Sequence, residues 1–395
     1  MKLKKLVCLF AIISVAVFMY IIFKPVTSKD FTLEQLDSSV YDLDKYTTPF
    51  WKGNIVYNEC VYPIISPENE VQSFQLMYKA SEIVSVKNYT LDKEYTEGVD
   101  YILEDGRLVI LPTGNIELIK QEYIYRNERD ESLVESEIYP FYPRKDSDGY
   151  IYWTEEEEFV LQTLAVTYIH NDKWNYDIPK SQLKKLKKIK NKLNNGENIT
   201  VVIDGNSISM GANSSSKLKI EPFADDYVNM THNYLKNKYG NENIEIINSA
   251  VGGSTAKFSE EKCDELIVQH NPDLVIMAFG MNEASSGRSA EIFKNNLINR
   301  ITYTKEQLPD CEFLLVTSVY GNPVLFSQKL YEEHANAIYE IASEYDYVGV
   351  CDPQSIMGSL LEKKDYMCFM ADNMVHPNDY GMRIIAQCVI AALTE

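Results

Sequence analysis

Four short segments in the C-terminal half of this 395-residue chain carry residue types suited to nucleophilic catalysis. In the first segment, Ser207 follows an apolar run and belongs to the sequence Gly205-Asn206-Ser207. A serine that follows a parallel strand and opens a helix is well placed to attack a carbonyl carbon. Its own N–H and the helix dipole then point toward the negatively charged oxygen that develops. Taken alone, such a serine is more often a simple helix N-cap.

Two further segments can supply hydrogen-bond donors to the same developing oxyanion. Gly253 lies in a glycine pair after a second apolar run, where a backbone N–H can approach a ligand closely. Asn282 follows a third apolar run, and its side-chain amide can donate to the same oxygen. Each residue alone would be read as part of a turn or a cap.

The fourth segment, near the C-terminal end, provides a candidate general base. His376 can take the proton of the Ser207 hydroxyl, although a lone histidine before Pro377 usually lies in a surface loop. Asp372 lies four residues before the histidine and can orient its ring, which would complete a triad. Orientation by a backbone carbonyl would instead leave a Ser–His dyad. The four segments together predict nucleophilic catalysis that requires no metal and no organic cofactor.

Five short apolar runs must position these residues, and stretches of helical composition separate the runs. The runs are Ile199–Asp204, Ile244–Asn248, Leu274–Phe279, Phe313–Ser318 and Tyr347–Cys351. This alternation predicts an α/β fold with a parallel sheet covered by helices on both faces. Active sites in such sheets lie beyond the carboxyl ends of the strands. The serine, glycine and asparagine segments each follow one of the first three runs, so we expect them to meet at that edge.

The order of these segments resembles the SGNH (GDSL-type) hydrolase superfamily. The four hallmark residues of that superfamily correspond to Ser207, Gly253, Asn282 and His376. The resemblance covers residues 198–395, about half of the chain, which we assign to an SGNH-type esterase domain. It implies a three-layer α/β/α sandwich and the hydrolysis of an ester or thioester.

Two positions depart from the pattern of the superfamily. Asn206 stands where the family usually has an aspartate, but that aspartate is not the nucleophile and asparagine can keep similar hydrogen bonds. The family also usually places an aspartate three residues before the histidine, and Asn373 occupies that position here. A bulge of one residue would allow Asp372 to reach the imidazole of His376, and we expect it to do so.

Residues 30–180 are predicted to form an all-β accessory domain, a jelly-roll-like sandwich. Two apolar runs joined through Asp105-Gly106 predict a hairpin, and Phe159–Tyr168 predicts another strand. A β-sandwich before such a domain resembles two-domain acetylxylan esterases and related bacterial carbohydrate esterases. Trp51, Trp153 and Trp174 lie here. They would suit sugar stacking if exposed, but most aromatic residues should pack the sandwich. The acidic cluster Glu155–Glu158 is interpreted as a solvated turn or strand end.

The N-terminal residues 1–29 are predicted to be a membrane anchor or signal segment. Lysines at positions 2, 4 and 5 precede an uncharged apolar run at residues 6–23, which is long enough to span a bilayer as a transmembrane segment. The lysines place the N-terminus inside and the rest of the chain outside the cell. Cleavage near Val26 and Ser28, with release of a secreted form, is the alternative. The lysine-rich residues 181–197 predict a helical linker, with contact to anionic lipid as the less favoured interpretation.

Composition narrows the possible partners. The net charge of −20 and the pI of about 4.8 disfavour a nucleic-acid partner. Neither a CxxC motif nor a metal-type Cys/His spacing occurs, so we expect mostly buried free thiols, with a disulfide between Cys351 and Cys368 as a weak alternative.

These observations predict an extracellular, membrane-anchored serine esterase that removes acyl groups, acetyl above all, from carbohydrate. Its partners would then be an acylated carbohydrate or another small ester, and the membrane through residues 6–23. A lipase, lysophospholipase or thioesterase with the same catalytic residues is one alternative. A glycan-binding protein with an inactive esterase domain is another.

Overall fold

The computed structural model describes residues 42–65, 72–129 and 141–395, and the N-terminal part of these is mainly β-structure. Its longer strands are β1 (Ile55–Val61), β4 (Ala80–Asn88), β6 (Tyr101–Glu104), β7 (Arg107–Ile110), β10 (Phe141–Pro143), β11 (Tyr150–Tyr152) and β12 (Leu164–His170). Its two-residue strands are β2 (Ile64–Ile65), β3 (Ser73–Phe74), β5 (Glu94–Tyr95), β8 (Ile119–Lys120) and β9 (Tyr125–Arg126). Its short helices are α1 (Leu43–Thr47), α2 (Gln121–Ile124) and α3 (Glu158–Leu161).

The described strands of this part form four small sheets, with the orders β1-β12-β4-β5, β10-β11-β9, β3-β7-β6 and β2-β8. The predicted hairpin is confirmed as β6–β7, and Asp105 and Gly106 have φ of 50° and 78°, as a two-residue type I′ turn requires. The predicted strand Phe159–Tyr168 is wrong at its start, since α3 occupies its first residues and β12 begins at Leu164. A jelly-roll-like sandwich stays a prediction.

The C-terminal part alternates strands and helices. Its strands are β13 (Ile199–Gly205), β14 (Ile244–Asn248), β15 (Leu274–Ala278), β16 (Glu312–Val316) and β17 (Val348–Cys351). Its helices are α4 (Lys187–Asn195), α5 (Ser215–Leu218), α6 (Tyr227–Tyr239), α7 (Ala256–Glu261), α8 (Cys263–Leu266), α9 (Met281–Ser285), α10 (Ala290–Gln307), α11 (Gln328–Glu344), α12 (Pro353–Leu361) and α13 (Asp379–Leu393). Short 3₁₀ turns occur at Val268–His270 and Tyr366–Cys368.

The five C-terminal strands form one parallel sheet in the order β14-β13-β15-β16-β17. Successive side chains of a strand point to opposite faces, so Val201 and Ile203 enter one hydrophobic core and Val202 enters the other. Helices α6, α12 and α13 contribute to the first core, and α10 and α11 contribute to the second. The predicted α/β fold with its parallel sheet is therefore confirmed.

Helix α13 lies between the parallel sheet and the β-rich part. Of its 15 residues, 14 are buried, and this agrees with a sequence that is apolar on almost every side. Its few polar side chains bond to the β-rich part. Asp379 accepts from the Tyr89 hydroxyl at 3.0 Å, and Arg383 and Gln387 donate to backbone carbonyls of β1 and α1. The first hydrophobic core therefore continues into the β-rich part.

The lysine-rich segment contains one described helix, α4, which is shorter than the predicted range 181–197. Ile189 and Leu193 on this helix are buried, and the Glu312 carboxylate accepts from the N–H groups of Lys188 and Ile189 at 3.0 Å each. A carboxylate at this end satisfies helix N–H groups that have no partner within the helix. Helix α4 therefore packs against the parallel sheet.

The predicted membrane segment, residues 1–29, lies outside the described residues, as does Cys8. Within the described ranges, no helix combines the length and apolarity needed to cross a bilayer. The six described cysteines are all buried free thiols, so the weak alternative of a disulfide between Cys351 and Cys368 is wrong.

Candidate active site

Three side chains predicted to act together lie in one line at the carboxyl edge of the parallel sheet. The Nε2 atom of His376 lies 2.9 Å from the Ser207 Oγ, and its Nδ1 lies 2.9 Å from the Asp372 Oδ2. The structure thus brings together the residues predicted to be the nucleophile, the base and the orienting carboxylate. A serine with these two partners has the geometry of a Ser-His-Asp triad.

Ser207 follows β13 in a series of turns, and the prediction that it opens a regular helix is wrong. Gly211 and Asn213 have φ of 78° and 62°, and these left-handed residues keep the segment from continuing as a helix. A side chain at Gly205 would collide with the Ser209 side chain, so only glycine allows the turn to fold this closely. Asn206 is buried, and its side-chain oxygen accepts from the Ile208 N–H at 3.0 Å.

The loop that carries His376 is arranged around the carboxylate of Asp372. Its Oδ1 accepts from the backbone N–H groups of Met374, Val375 and His376, at 2.8, 2.9 and 3.0 Å. The one-residue bulge therefore places Asp372, and not Asn373, against the imidazole. Because one oxygen is used for the backbone, the other oxygen remains for His376.

The opposite charges of Asp372 and His376 lower the pKa of the carboxyl and raise the pKa of the imidazole. Burial alone would raise the pKa of Asp372, but the His376 ring and the backbone N–H groups of Met374 and His376 hold that pKa below its usual value. Burial alone would lower the pKa of His376, but the Asp372 carboxylate outweighs it and raises that pKa. The pair therefore favours a charged imidazole, which is the form that His376 takes after it has accepted the serine proton.

Donors for an oxyanion lie at the ends of three neighbouring strands. Within the described residues, neither the Ser207 N–H nor the Gly253 N–H donates to another protein group. Gly253 has φ of 69°, a conformation that glycine adopts without strain. The Asn282 amide donates one of its two hydrogens to the Ser254 carbonyl at 2.8 Å, which leaves the other for a ligand.

Glu283 fixes two of these donors relative to each other, and the sequence analysis gave it no role. Its buried carboxylate accepts from the Gly280 N–H at 3.0 Å and from the Ala256 N–H at 2.6 Å. One oxygen thus holds the start of the Asn282 helix, and the other holds the start of the helix after Gly253. Its position directly after Asn282 was the available signal.

A segment of the β-rich part, Tyr152–Glu155, contacts the catalytic loops, and the sequence analysis did not foresee this. Trp153 is buried, and its indole N–H lies 3.4 Å from the Asp372 Oδ2. Asn373 donates to the Tyr152 carbonyl at 2.8 Å and accepts from the Asn322 amide at 2.9 Å. No local sequence pattern signals contacts between residues so far apart in the chain.

The tryptophans considered for sugar stacking occupy different environments. Trp51 and Trp153 are buried, whereas Trp174 is half-buried. Trp51 and Trp153 therefore lie in the interior, as the sequence analysis expected for most aromatic residues.

Comparisons with known proteins show which family this part of the chain resembles. Residues 205–384 match the model of the GDSL-like lipase/acylhydrolase family. An arylesterase of Vibrio mimicus is 21% identical over 154 residues, which are 39% of this chain and 72% of that protein.

Among solved structures, a two-domain esterase active on acetylated mannans has a TM-score of 0.43 and 22% identity. The match covers 53% of this chain and 52% of that chain, so this chain matches about half of the length of the mannan esterase. A catalytic mutant of an acetylxylan esterase from Geobacillus stearothermophilus has a TM-score of 0.42 and 18% identity, over 50% of this chain and 94% of that one. Residues 205–384 are thus similar to the GDSL-like lipase/acylhydrolase family, and this similarity together with that to the arylesterase supports a carboxylic ester hydrolase.

Proposed function

We propose that this protein is a membrane-anchored, extracellular serine esterase that removes acetyl groups from carbohydrate. The observation that carries the proposal is the continuous line of contacts from the Ser207 hydroxyl through His376 to Asp372. Every step of acyl transfer from an ester to water can be assigned to residues of this line and to the donors beside it.

Acylation begins when His376 Nε2 takes the proton of the Ser207 hydroxyl as its oxygen attacks the ester carbonyl. The N–H groups of Ser207 and Gly253 and the amide of Asn282 then hold the oxyanion. Asp372 stabilises the imidazolium that forms. His376 next donates its proton to the leaving alcohol, which departs and leaves an acyl group on the serine.

Deacylation repeats the same steps with water as the nucleophile. His376 takes a proton from water as the water oxygen attacks the carbonyl carbon of the acyl-serine, and the same donors bind the second oxyanion that forms. Collapse of this intermediate releases the carboxylic acid, and His376 returns the proton to the Ser207 oxygen. Besides the ester and water, every group in this cycle belongs to the chain.

A carbohydrate substrate is favoured by the resemblance to two-domain carbohydrate esterases and by the side chains beside the triad. Tyr142 is half-buried and packs edge-on against Trp153, with ring centroids 6.0 Å apart. A partly exposed tyrosine ring offers an apolar face to a sugar and a hydroxyl for hydrogen bonding. Acetate is the acyl group that we propose.

An extracellular location rests on the sequence of residues 1–29. The lysines before the apolar run favour an N-terminus inside the cell and a catalytic part outside. Protease added to intact cells should digest the catalytic part, and washing with concentrated salt should not release it. A soluble form that begins near Lys29 would contradict anchoring and indicate a cleaved signal.

The esterase itself is tested by changing the nucleophile. Ser207→Ala in the full-length protein should lower the hydrolysis of nitrophenyl acetate by several orders of magnitude. Ser209→Ala is the matched control, because it also removes a serine hydroxyl, two residues from Ser207. The Ser209 hydroxyl is buried and bonds to Tyr227. Activity of Ser207→Ala within about tenfold of the wild type would refute the assignment.

The substrate class is tested with the unmodified protein on three kinds of ester. We expect faster turnover of acetylated glycans and nitrophenyl acetate than of long-chain nitrophenyl esters. Preference for long acyl chains would favour a lipase, and binding of glycans without hydrolysis would favour an inactive esterase domain.

A further inference from the structure

The segment Tyr152–Glu155 is attached to both catalytic loops of the α/β part. The Tyr152 carbonyl accepts from Asn373, and the Trp153 indole N–H faces Asp372, so two contacts reach the histidine loop. The Glu155 carbonyl accepts from the Asn213 amide at 2.8 Å, and Asn213 belongs to the turns that follow the nucleophile. The segment therefore spans the site from the base to the nucleophile.

Packing holds this segment in place from the other side. Ile151 and Trp153 form a small buried cluster with Leu325 and with Met374 of the histidine loop. Because two residues of the segment are buried and three hydrogen bonds fix its backbone and indole, Glu155 has little freedom to move away from the site.

The side chain of Glu155 interacts with the catalytic pair. Burial of its carboxyl raises the pKa of Glu155, while the nearby His376 lowers it and Asp372 raises it further. In return, the Glu155 charge adds to the effect of Asp372 in raising the pKa of His376. Glu155 is an exposed residue, and its backbone carbonyl is bonded to Asn213 in the turns that follow Ser207.

We infer that Glu155 is a specificity-determining residue, which favours neutral or cationic esters and disfavours esters that carry a negative charge near the reacting bond. The inference rests on the proposed esterase function. Glu155 is an exposed residue of the segment that contacts both the histidine loop and the turns after Ser207, and the attraction or repulsion of its charge extends over about 10 Å at moderate salt. The acceptors it fits are neutral sugars and amino sugars, whereas uronic acids and anionic lipids are disfavoured.

Three phenyl acetates that differ only in the charge of the para substituent can test this inference. The anionic ester is 4-acetoxybenzoate, its near-isosteric neutral partner is 4-acetoxybenzamide, and the cationic ester carries a trimethylammonium group. For Glu155→Gln, the ratio of kcat/KM for the anionic ester to that for the neutral one should rise about threefold or more. The ratio of cationic to neutral should fall by a similar factor. Both changes should shrink at high salt because screening shortens the reach of the charge.

Two further variants test whether the effect depends on the position of the charge and on its sign. Glu156→Gln makes the same charge change one residue away, at an exposed side chain, and should leave both ratios unchanged. Glu155→Lys should reverse the preference of the wild type.

Three outcomes separate the inference from the proposed function. Unchanged ratios in Glu155→Gln overturn the inference while the esterase stands. An equal loss for all three esters overturns it as well, since Glu155 would then act only through His376. Absence of any hydrolysis by the wild type overturns the proposed function and the inference together.

Discussion

Replacement of Asp372 by asparagine removes one negative charge from the catalytic line while preserving the shape of the side chain. The amide oxygen of the new side chain can still accept from the three backbone N–H groups, so the loop should keep its path. The amide nitrogen would then face the His376 Nδ1 across the present 2.9 Å and favour the wrong tautomer, with the proton on Nε2. His376 in that tautomer cannot accept the proton of Ser207.

The expected loss follows from this geometry. In a serine protease the same change lowers kcat by about 10⁴-fold, which corresponds to roughly 5.4 kcal/mol in the barrier. We expect a loss of about 10³- to 10⁴-fold in kcat for Asp372→Asn, with a small change in KM, because the substrate does not touch Asp372.

The pH dependence of kcat/KM for Asp372→Asn provides a second, independent test of the triad. The Asp372 carboxylate raises the pKa of His376, so its removal should lower that pKa. Since His376 must be neutral to act as a base, the acidic limb of kcat/KM should move to lower pH in the variant. Initial rates with nitrophenyl acetate between about pH 4 and pH 9 measure both effects.

Asn373→Gly is the control, because glycine accepts the φ of 60° at this position and the change removes the amide at the customary aspartate position. It should lower the melting temperature through lost bonds to Tyr152 and Asn322, and leave kcat within about tenfold of the wild type. A loss below about tenfold for Asp372→Asn, with an unmoved acidic limb, would refute the triad and favour a dyad.

Three further changes test other parts of the site and fold. Asn282→Ala should lower kcat by about 10²- to 10³-fold with little change in KM, since the amide donates to the oxyanion; an equal rise of KM would contradict this role. Trp153→Phe keeps most of the packing but removes the indole N–H beside Asp372, so kcat should fall by roughly three- to tenfold at unchanged KM. A changed melting temperature with a normal kcat would mean that Trp153 contributes only packing. Asp225→Asn should stabilise the fold at pH 7 by roughly 1–2 kcal/mol, because burial raises the pKa of Asp225 to about 6. At low pH the wild-type Asp225 is protonated and costs the fold nothing, and this stability is lost as pH rises through about 6. Urea unfolding should therefore show no difference in free energy between Asp225→Asn and the wild type at pH 4, and a growing advantage of the variant toward pH 7.

The parallel sheet was predictable because its strands are buried on both faces and appear as continuous apolar runs. The run Ile244–Asn248 was predicted with both its ends, and the other four runs agree with β13, β15, β16 and β17 within two residues at either end. The stretch Phe159–Tyr168 was harder, since a short apolar run does not distinguish a helix from a strand. Its first residues form the short helix α3, in which Phe159 and Val160 are both buried.

The predicted site residues could be proposed from the sequence because each lies beside a recognisable local signal. Ser207, Gly253 and Asn282 follow predicted strands, and the bulge that brings Asp372 to His376 was anticipated from the spacing. Contacts that depend on the whole fold were not predictable. Trp153 and Asp372 are separated by 219 residues in the sequence, and only the packing of the β-rich part brings them together.

The position of helix α13 between the two parts has a consequence for folding. Gln387 bonds to the Tyr46 carbonyl across 341 residues, and Lys364 bonds to the buried Glu59 across 305. Such contacts give the chain a high contact order, which slows folding because distant segments must meet before their interactions stabilise them. If one part folded without the other, a buried Glu59 or Lys364 would lack its ionic partner, at a cost of several kcal/mol. The β-rich and α/β parts should therefore unfold in one cooperative transition, with a single calorimetric peak for both.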